Sequence, residues 1–315
     1  MYHVSNEKKI YAMSPVNQPA LVVNPGTLVT LDTNDCFDNQ IDAEDILLSE
    51  VDWNRLNPAT GPVYVEGAEP GDILSVHIQK IELADHGFSF AAPDLGVMGD
   101  RLTTNTIKKL PIHNGKVLYN DRLQIPLNPM IGVIGTAPAN ESVLNDTPGE
   151  HGGNMDCKQI KEGAIVFLPV NVPGALLALG DLHAAMGDGE ISSGVEIAGK
   201  VTLKIEVIKD KDWKLPLVIT EEKMMTVASA KTLDEATDRA VKNMVDWLEK
   251  ETGMSTVEAS MLLSIASDLR VCQAVNPLKT MRVELPSWMV EKYGVTLTKQ
   301  MASYCEIEST SFTKY

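Results

Sequence analysis

The chain has 315 residues, 44% of them hydrophobic, enough for a sizeable core in one large domain or two closely packed ones. A net charge of -16 leaves too few Lys and Arg for phosphate contacts, which excludes nucleic acid as a partner and disfavours anionic membrane surfaces. Aromatic residues make up only 5%, so the core must be aliphatic and Met-rich, and no stretch approaches the ~20 apolar residues of a membrane span.

The first predicted strand is Leu28 to Thr33. Asp72 to Ile81 sets Leu74, Val76 and Ile78 against Ser75, His77 and Gln79, the alternation of a half-buried strand. Lys200 to Ile208 repeats it, with Val201, Leu203, Ile205 and Val207 on one face. Ala164 to Leu168 and Leu217 to Glu221 are further predicted strands, and Pro70-Gly71-Asp72 and Asn114-Gly115 are turn signals.

The pattern changes after Glu221. Thr232 to Glu235 reads as a capping box, followed at helical spacing by Ala236, Ala240, Val241, Met244, Trp247 and Leu248. Ser255 to Glu258 is a second capping box, opening an apolar helix predicted to run through Leu269, and Pro286 starts a third near Ser287 to Lys292. The tail, Glu306 to Tyr315, is polar and expected to be loose. Strands first and helices later imply an α+β protein: a β-rich sandwich or barrel-like core with a helical C-terminal portion. Residues 1–222 would carry the site loops and residues 223–315 would pack on them, as a separate region or within one domain.

The start of the chain has no apolar run of signal-peptide length. Cys36, Cys157, Cys272 and Cys305 lie far apart with no CxxC pair. Both features point to reduced thiols and a cytoplasmic location.

Two glycine-rich segments concentrate the chemistry. GDLHAAMGDGEISSGVE, from Gly180 to Glu196, holds Asp181, His183, Asp188, Glu190 and Glu196; HGGNMD, from His151 to Asp156, holds His151, Asn154 and Asp156. Like charges this close raise one another's pKa unless something positive lies among them, and no Lys or Arg occurs between Lys161 and Lys200. A divalent metal is the simplest counter-charge for histidine plus carboxylates, a donor set that admits zinc, manganese or calcium. Asp35, in LDTNDCFDNQI, could add a distant carboxylate. Cys36 and Cys157 sit beside acidic residues, which disfavours either as a nucleophile. His77 is expected to be solvated. GxSxG, HExxH and GxxxxGK[ST] are all absent, so serine-hydrolase, thermolysin-like and P-loop chemistry have no support.

Taken together, NPATGPVYVEGAEPGD (Asn57 to Asp72), PMIGVIGTAP (Pro129 to Pro138), HGGNMD, GDLHAAMGDGEISSGVE and SDLRVCQAVNPLKTMR (Ser267 to Arg282) resemble the acetamidase/formamidase family. The resemblance spans most of the chain in order, and its GDLHAAMGDGE segment is the most specific. It implies hydrolysis of a small aliphatic amide to carboxylate and ammonia. It also implies a β-rich α+β fold, a homodimer or higher homo-oligomer, and a divalent ion, zinc or calcium. By motif match it places site residues at Asp35, Asn154, Asp156, His183, Asp188, Glu190 and Glu196.

The expected mechanism is hydrolysis by metal-activated water. Asp35, Asp156, His183 and Asp188 would hold the ion, Glu190 would move the water's proton to the leaving nitrogen, and Asn154 would donate to the oxyanion. Glu196 or His151 would orient a ligand. The alternatives are a hydrolase on the same scaffold with a purely structural metal, and a non-catalytic calcium-dependent binding protein. Activity in folded apo-protein would mark the first, and absence of ammonia release the second.

Overall fold

The computed structural model describes residues 2–42, 46 and 50–295; Cys305 and the tail from Glu306 lie outside them. Two large sheets and a helical layer stack on one another. The first sheet has ten strands, in the order Tyr2–Val4, Thr27–Thr33, Gly199–Ile208, Ile73–Leu83, Ile165–Pro169, Leu217–Ile219, Lys223–Ala230, Lys279–Pro286, Asp268–Gln273 and Gly189–Glu190. The second is built around Leu177–His183, which lies between Met130–Gly135 and both Ala59–Val65 and Glu196–Ile197.

The sheets bury their facing apolar side chains against each other. Leu74, Val76, Val166, Leu168, Val201 and Leu203 come from the first; Val63, Ile131, Ile134, Leu177, Leu179 and Ile197 come from the second. On the other face of the first sheet, Ile165, Phe167, Leu217, Met224 and Leu285 receive Ala240, Met244, Trp247 and Leu248 of helix α1 (Leu233–Thr252). The central strand Ile165–Pro169 is therefore covered on both faces, which explains its unbroken apolar run IVFLP. Gly199–Ile208 keeps the predicted alternation, with Val201, Leu203 and Ile205 fully buried.

The expected strands, the α+β class and the helical C-terminal portion all appear, with boundaries shifted by a residue or two. Helix α1 starts at Thr232, whose side chain accepts from the Glu235 N–H, and ends at Gly253 in the left-handed region (φ 74°) that glycine adopts freely. Helix α2 (Thr256–Ala266) carries a complete capping box on Ser255 and Glu258, and α3 covers Ser287–Glu291.

Two expectations change, those for the end of α2 and for His77. Helix α2 stops at Ala266, because Ser267 turns extended (φ -99°, ψ 156°) and leads into the strand Asp268–Gln273. Strands on both sides of residue 222 belong to one continuous sheet. His77 is buried at 6% exposure, because Ile73–Leu83 is an interior strand whose two faces are both buried from Ile73 to Ile78; its Nδ1 lies 2.7 Å from Gln79 Nε2. Among the described residues no helix is long and apolar enough to cross a membrane.

Trp247 is the largest fully buried side chain in the helical layer, and it stacks at a tilt on Trp213. Trp247→Ala is expected to cost about 3–5 kcal/mol. Urea denaturation would show this as a lower midpoint with an unchanged slope.

Candidate active site

Backbone pairing assembles the site. In the Leu177–His183 strand, His183 pairs with Met130 on one side and Glu196 on the other. Directly opposed residues of an antiparallel pair project to the same face with Cβ atoms ~5 Å apart, so the imidazole and the Glu196 carboxylate meet by register alone. Glu196 Oε2 lies 3.0 Å from His183 Nε2, Asp181 Oδ1 3.5 Å and Asp156 Oδ1 3.9 Å. Glu190 completes the group: its Oε1 accepts from the Gly194 N–H at 3.1 Å. All five side chains are buried, none more than 8% exposed.

Glycines make this density possible. A Cβ on Gly132 would sit 2.6 Å from Asp156 Oδ1 and 2.7 Å from Asp181 Oδ2; one on Gly194 would sit 2.7 Å from His183 Nδ1. Asp156 and Asp181 themselves adopt left-handed backbone (φ 44° and 55°), which aims both carboxylates at the imidazole at a modest conformational cost. Asn154 bridges the pair. With its amide nitrogen toward the carboxylates it donates to Asp156 and Asp181, each at 3.1 Å, and its oxygen accepts from Asn57 at 2.9 Å and Asn276 at 3.1 Å. Asn276 Nδ2 also donates to Asp156 Oδ2 at 2.6 Å.

The cluster forms one wall of a cavity of about 410 Å³. Phe37, Leu56, Phe90, Leu95, Val275 and Pro277 supply apolar surface, and Phe37 and Phe90 meet edge to face at 4.9 Å. Lys279 also lines the cavity, its Nζ donating to the Asn276 carbonyl at 2.7 Å.

Burial dominates the electrostatics. It pushes Asp156 up to about 6 and Glu196 up to about 7, with Asp181 adding to both, and it raises Glu190 well above the ordinary carboxyl value. For His183, burial alone would lower the pKa, but the Glu196 and Asp181 carboxylates beside it raise it well above the ordinary imidazole value. Asp181 Oδ1 and Glu196 Oε2 face the His183 imidazole at ion-pair distance without an aligned hydrogen bond, and Glu190 Oε2 makes no hydrogen bond either. Carboxyl oxygens converging on one imidazole with this much spare acceptor capacity suit a divalent cation. The donor atoms of Asp156, His183 and Glu190 lie within 4.8 Å of one another, as do those of Cys36, Asp181 and Glu196.

Of the residues singled out from sequence, Asn154, Asp156, His183, Glu190 and Glu196 come together here. Asp188 does not. Arg282 holds it bidentately at 2.7 and 2.9 Å, Lys158 lies 3.0 Å away, and these cations keep its carboxyl below the usual range despite burial. Asp35 is not among the cavity-lining residues: its Oδ1 accepts from the Phe37 and Asn39 N–H groups at 3.0 and 2.8 Å, closing its own turn. Its carboxyl is raised to about 6 by burial. His151 packs between Gly149 and Gly153, also off the cavity, with burial pushing it down to about 4. Asn154, expected at an oxyanion, has its donor nitrogen engaged by carboxylates.

Cys36 lines the cavity, but burial and then Glu196 raise its thiol well above the usual value, which leaves it protonated and a poor nucleophile. Sequence reasoning assigned no role to Asp181, although its two-residue spacing from His183 in a strand was a usable signal. Asn57 and Asn276 carried no such signal beyond their place in the quoted segments.

The model of the acetamidase/formamidase family matches residues 14–147 and 139–290. The chain belongs to the acetamidase/formamidase family. A crystal structure of an acetamidase from Bacillus halodurans is 52% identical and superposes with a TM-score of 0.92, covering 93% of this chain and 100% of that one. A Schizosaccharomyces pombe protein named as a candidate formamidase is 31% identical over 256 residues, 60% of this chain and 61% of its own length. An acetamidase from Mycolicibacterium smegmatis is 26% identical over 257 residues, 60% of this chain and 63% of its own. The chain thus spans about three fifths of the length of the curated relatives it matches.

Two outcomes follow from this geometry. Asp188→Asn is expected to lower stability by about 1–3 kcal/mol, through loss of charged hydrogen bonds to buried Arg282, while cation binding measured by calorimetry stays unchanged. Loss of cation binding would put Asp188 back among the ligands.

The second outcome concerns pH. Glu190, Glu196 and His183 hold protons in the fold at pH values where the unfolded chain has released them. Their contribution is present below the unfolded values and lost as pH rises through the folded ones. Buried neutral His77 and His151 act in the opposite sense, but only below about 6.5. Chelator-treated protein should therefore lose Tm as pH rises above about 6.5, through the Glu196 value of about 7 and beyond, and a divalent cation should restore it. A Tm that rises with pH in chelator would contradict this charge assignment.

Proposed function

We propose that the protein hydrolyses a small linear amide to its carboxylate and ammonia. The observation that carries this reading is the buried Asp156, Asp181, His183, Glu190 and Glu196 cluster opening onto an apolar-walled cavity. Family membership and relatives named acetamidase and formamidase support it.

Glu190 is the proton carrier. Gly194 fixes one of its oxygens, while Oε2 has no partner of its own and its carboxyl holds a proton readily. It accepts the proton of the attacking water at Oε2 and delivers it to the leaving nitrogen, so that ammonia departs neutral. The acyl group lies against Phe37, Leu56, Phe90 and Leu95, which exclude water from one side of the carbonyl. A neutral substrate suits this acidic wall, and the anionic product is repelled from it.

Asp156, Asp181, His183 and Glu196 are the residues that would hold a divalent cation, zinc or calcium. When bound, such an ion polarises a carbonyl and lowers the pKa of water. Asn154 positions rather than reacts: it fixes Asp156 and Asp181 relative to each other.

Ammonia release from formamide, acetamide and propionamide tests the reading, with elemental analysis of the same preparation. Glu190→Gln is expected to lower kcat by a factor on the order of 10² to 10⁴ while cation content is kept. His183→Ala should lose cation and turnover together. No ammonia from any of the three amides, or a fully active His183→Ala variant, would overturn it.

A further inference from the structure

The loop between the strands Asp268–Gln273 and Lys279–Pro286 supplies part of the cavity wall. Val275 and Pro277 add apolar surface, and Asn276 donates to Asp156 Oδ2 at 2.6 Å. The loop, Ala274 to Leu278, forms no regular element, and among the described residues none of its main-chain groups bonds another within it. Fixing such a segment costs conformational entropy at every residue, so groups outside it must hold it in place.

Gln273 does so. It ends the strand Asp268–Gln273 and is fully buried, at 0% exposure. Its Oε1 accepts from the Val275 and Asn276 N–H groups, both at 3.0 Å. Its Nε2 donates to the Leu278 carbonyl at 2.6 Å and to Thr280 Oγ1 at 3.0 Å. One amide therefore ties both ends of the loop, using its acceptor twice and both its donors. Among neutral side chains only Asn and Gln carry that set, and Asn is one methylene shorter.

The backbone of the same residue reaches the other side of the site. Gln273 pairs with Gly189 and Glu190, and the Ala274 N–H donates to the Glu190 carbonyl at 3.3 Å. Gln273 thus stands between Glu190 and Asn276, which orients Asp156, yet it is not itself among the cavity-lining residues. A buried amide with every polar atom matched holds its neighbours to one arrangement, because any shift leaves a buried group unpaired. Here that arrangement includes a hydrogen bond to the acidic cluster and the Val275–Pro277 wall.

We propose that Gln273 is a positioning residue for the reaction: it sets Asn276 against Asp156 and the Val275–Pro277 wall against the acyl group, and so governs turnover and acyl selectivity without touching substrate. The assignment rests on the amidase reading above.

Ammonia release from formamide and propionamide tests it in the wild type, Gln273→Met, Asn276→Ala and the double variant, with the folded fraction measured by circular dichroism. A group that only stabilised the fold would change the amount of active enzyme, which cancels in the ratio of kcat/KM for the two amides. Gln273→Met should lower the propionamide-to-formamide ratio at least about threefold, because the wall that meets the two extra carbons is displaced. With formamide, each single variant should lower kcat per folded enzyme about tenfold or more. The double variant should stay within about twofold of Asn276→Ala alone, because Gln273 acts on Asp156 through Asn276. If Gln273→Met accumulates too little folded protein, Gln273→Glu, which keeps the acceptor and loses the amide donors, should lower the same ratio at least about twofold. An unchanged ratio, or kcat losses that multiply in the double variant, would overturn the assignment and leave amide hydrolysis standing. A wild type that releases no ammonia from either amide would overturn the amidase reading and the assignment with it.

Discussion

The structure depends on burying several carboxylates around one imidazole. Each buried anion loses solvation that water would supply, and like charges a few ångströms apart oppose one another. The fold answers in three ways: His183 supplies one positive charge, Asn154 and Asn276 supply amide donors, and burial keeps protons on groups that would release them in water. His183 faces Asp181 Oδ1 and Glu196 Oε2 without an aligned hydrogen bond, and Glu190 Oε2 has none. That remaining acceptor capacity suits the cluster to a cation or a proton. A core made of the same strands with apolar residues in these places would be more stable and chemically inert.

A second buried polar group lies close by and obeys different rules. Arg282, 1% exposed, holds both Asp188 and Glu284, and Lys223 also pairs with Glu284. Here cations balance anions, the carboxyls sit below their usual range, and the donors are matched. Two acidic residues two positions apart in Gly187-Asp-Gly-Glu190 thus end in opposite environments. Asp188 belongs to a neutralised framework that anchors the loop to the strand Lys279–Pro286, and Glu190 belongs to the cavity. The loop is pinned by one residue so that the other can be held in place.

Much of this was legible in the sequence where the interaction is local. Alternation in Gly199–Ile208, the N-cap at Thr232, the capping box at Ser255, and the concentration of acids near His183 all act within a few residues. What failed was non-local. The counter-charge for Asp188 comes from Arg282, 94 positions away, so a search for cations between Lys161 and Lys200 could not find it. Asp35 is a local exception: its Oδ1 accepts from the Phe37 and Asn39 N–H groups of its own turn. Helix α2 was extended to Leu269 because an apolar run fits a helix and a buried strand equally, and only pairing with Lys279–Pro286 decides between them. Ser75, His77 and Gln79 share one face of their strand as the alternation predicts, yet His77 is buried on it.

The pairing of His183 with Glu196 carries a final consequence. Their spacing belongs to the ladder and not to any side-chain contact, so the accuracy of the centre is inherited from backbone geometry. Conservative swaps in the surrounding core can drift without disturbing it. A single inserted or deleted residue in either strand would turn one partner to the opposite face of the sheet, leaving a well-folded protein whose imidazole and carboxylate never meet.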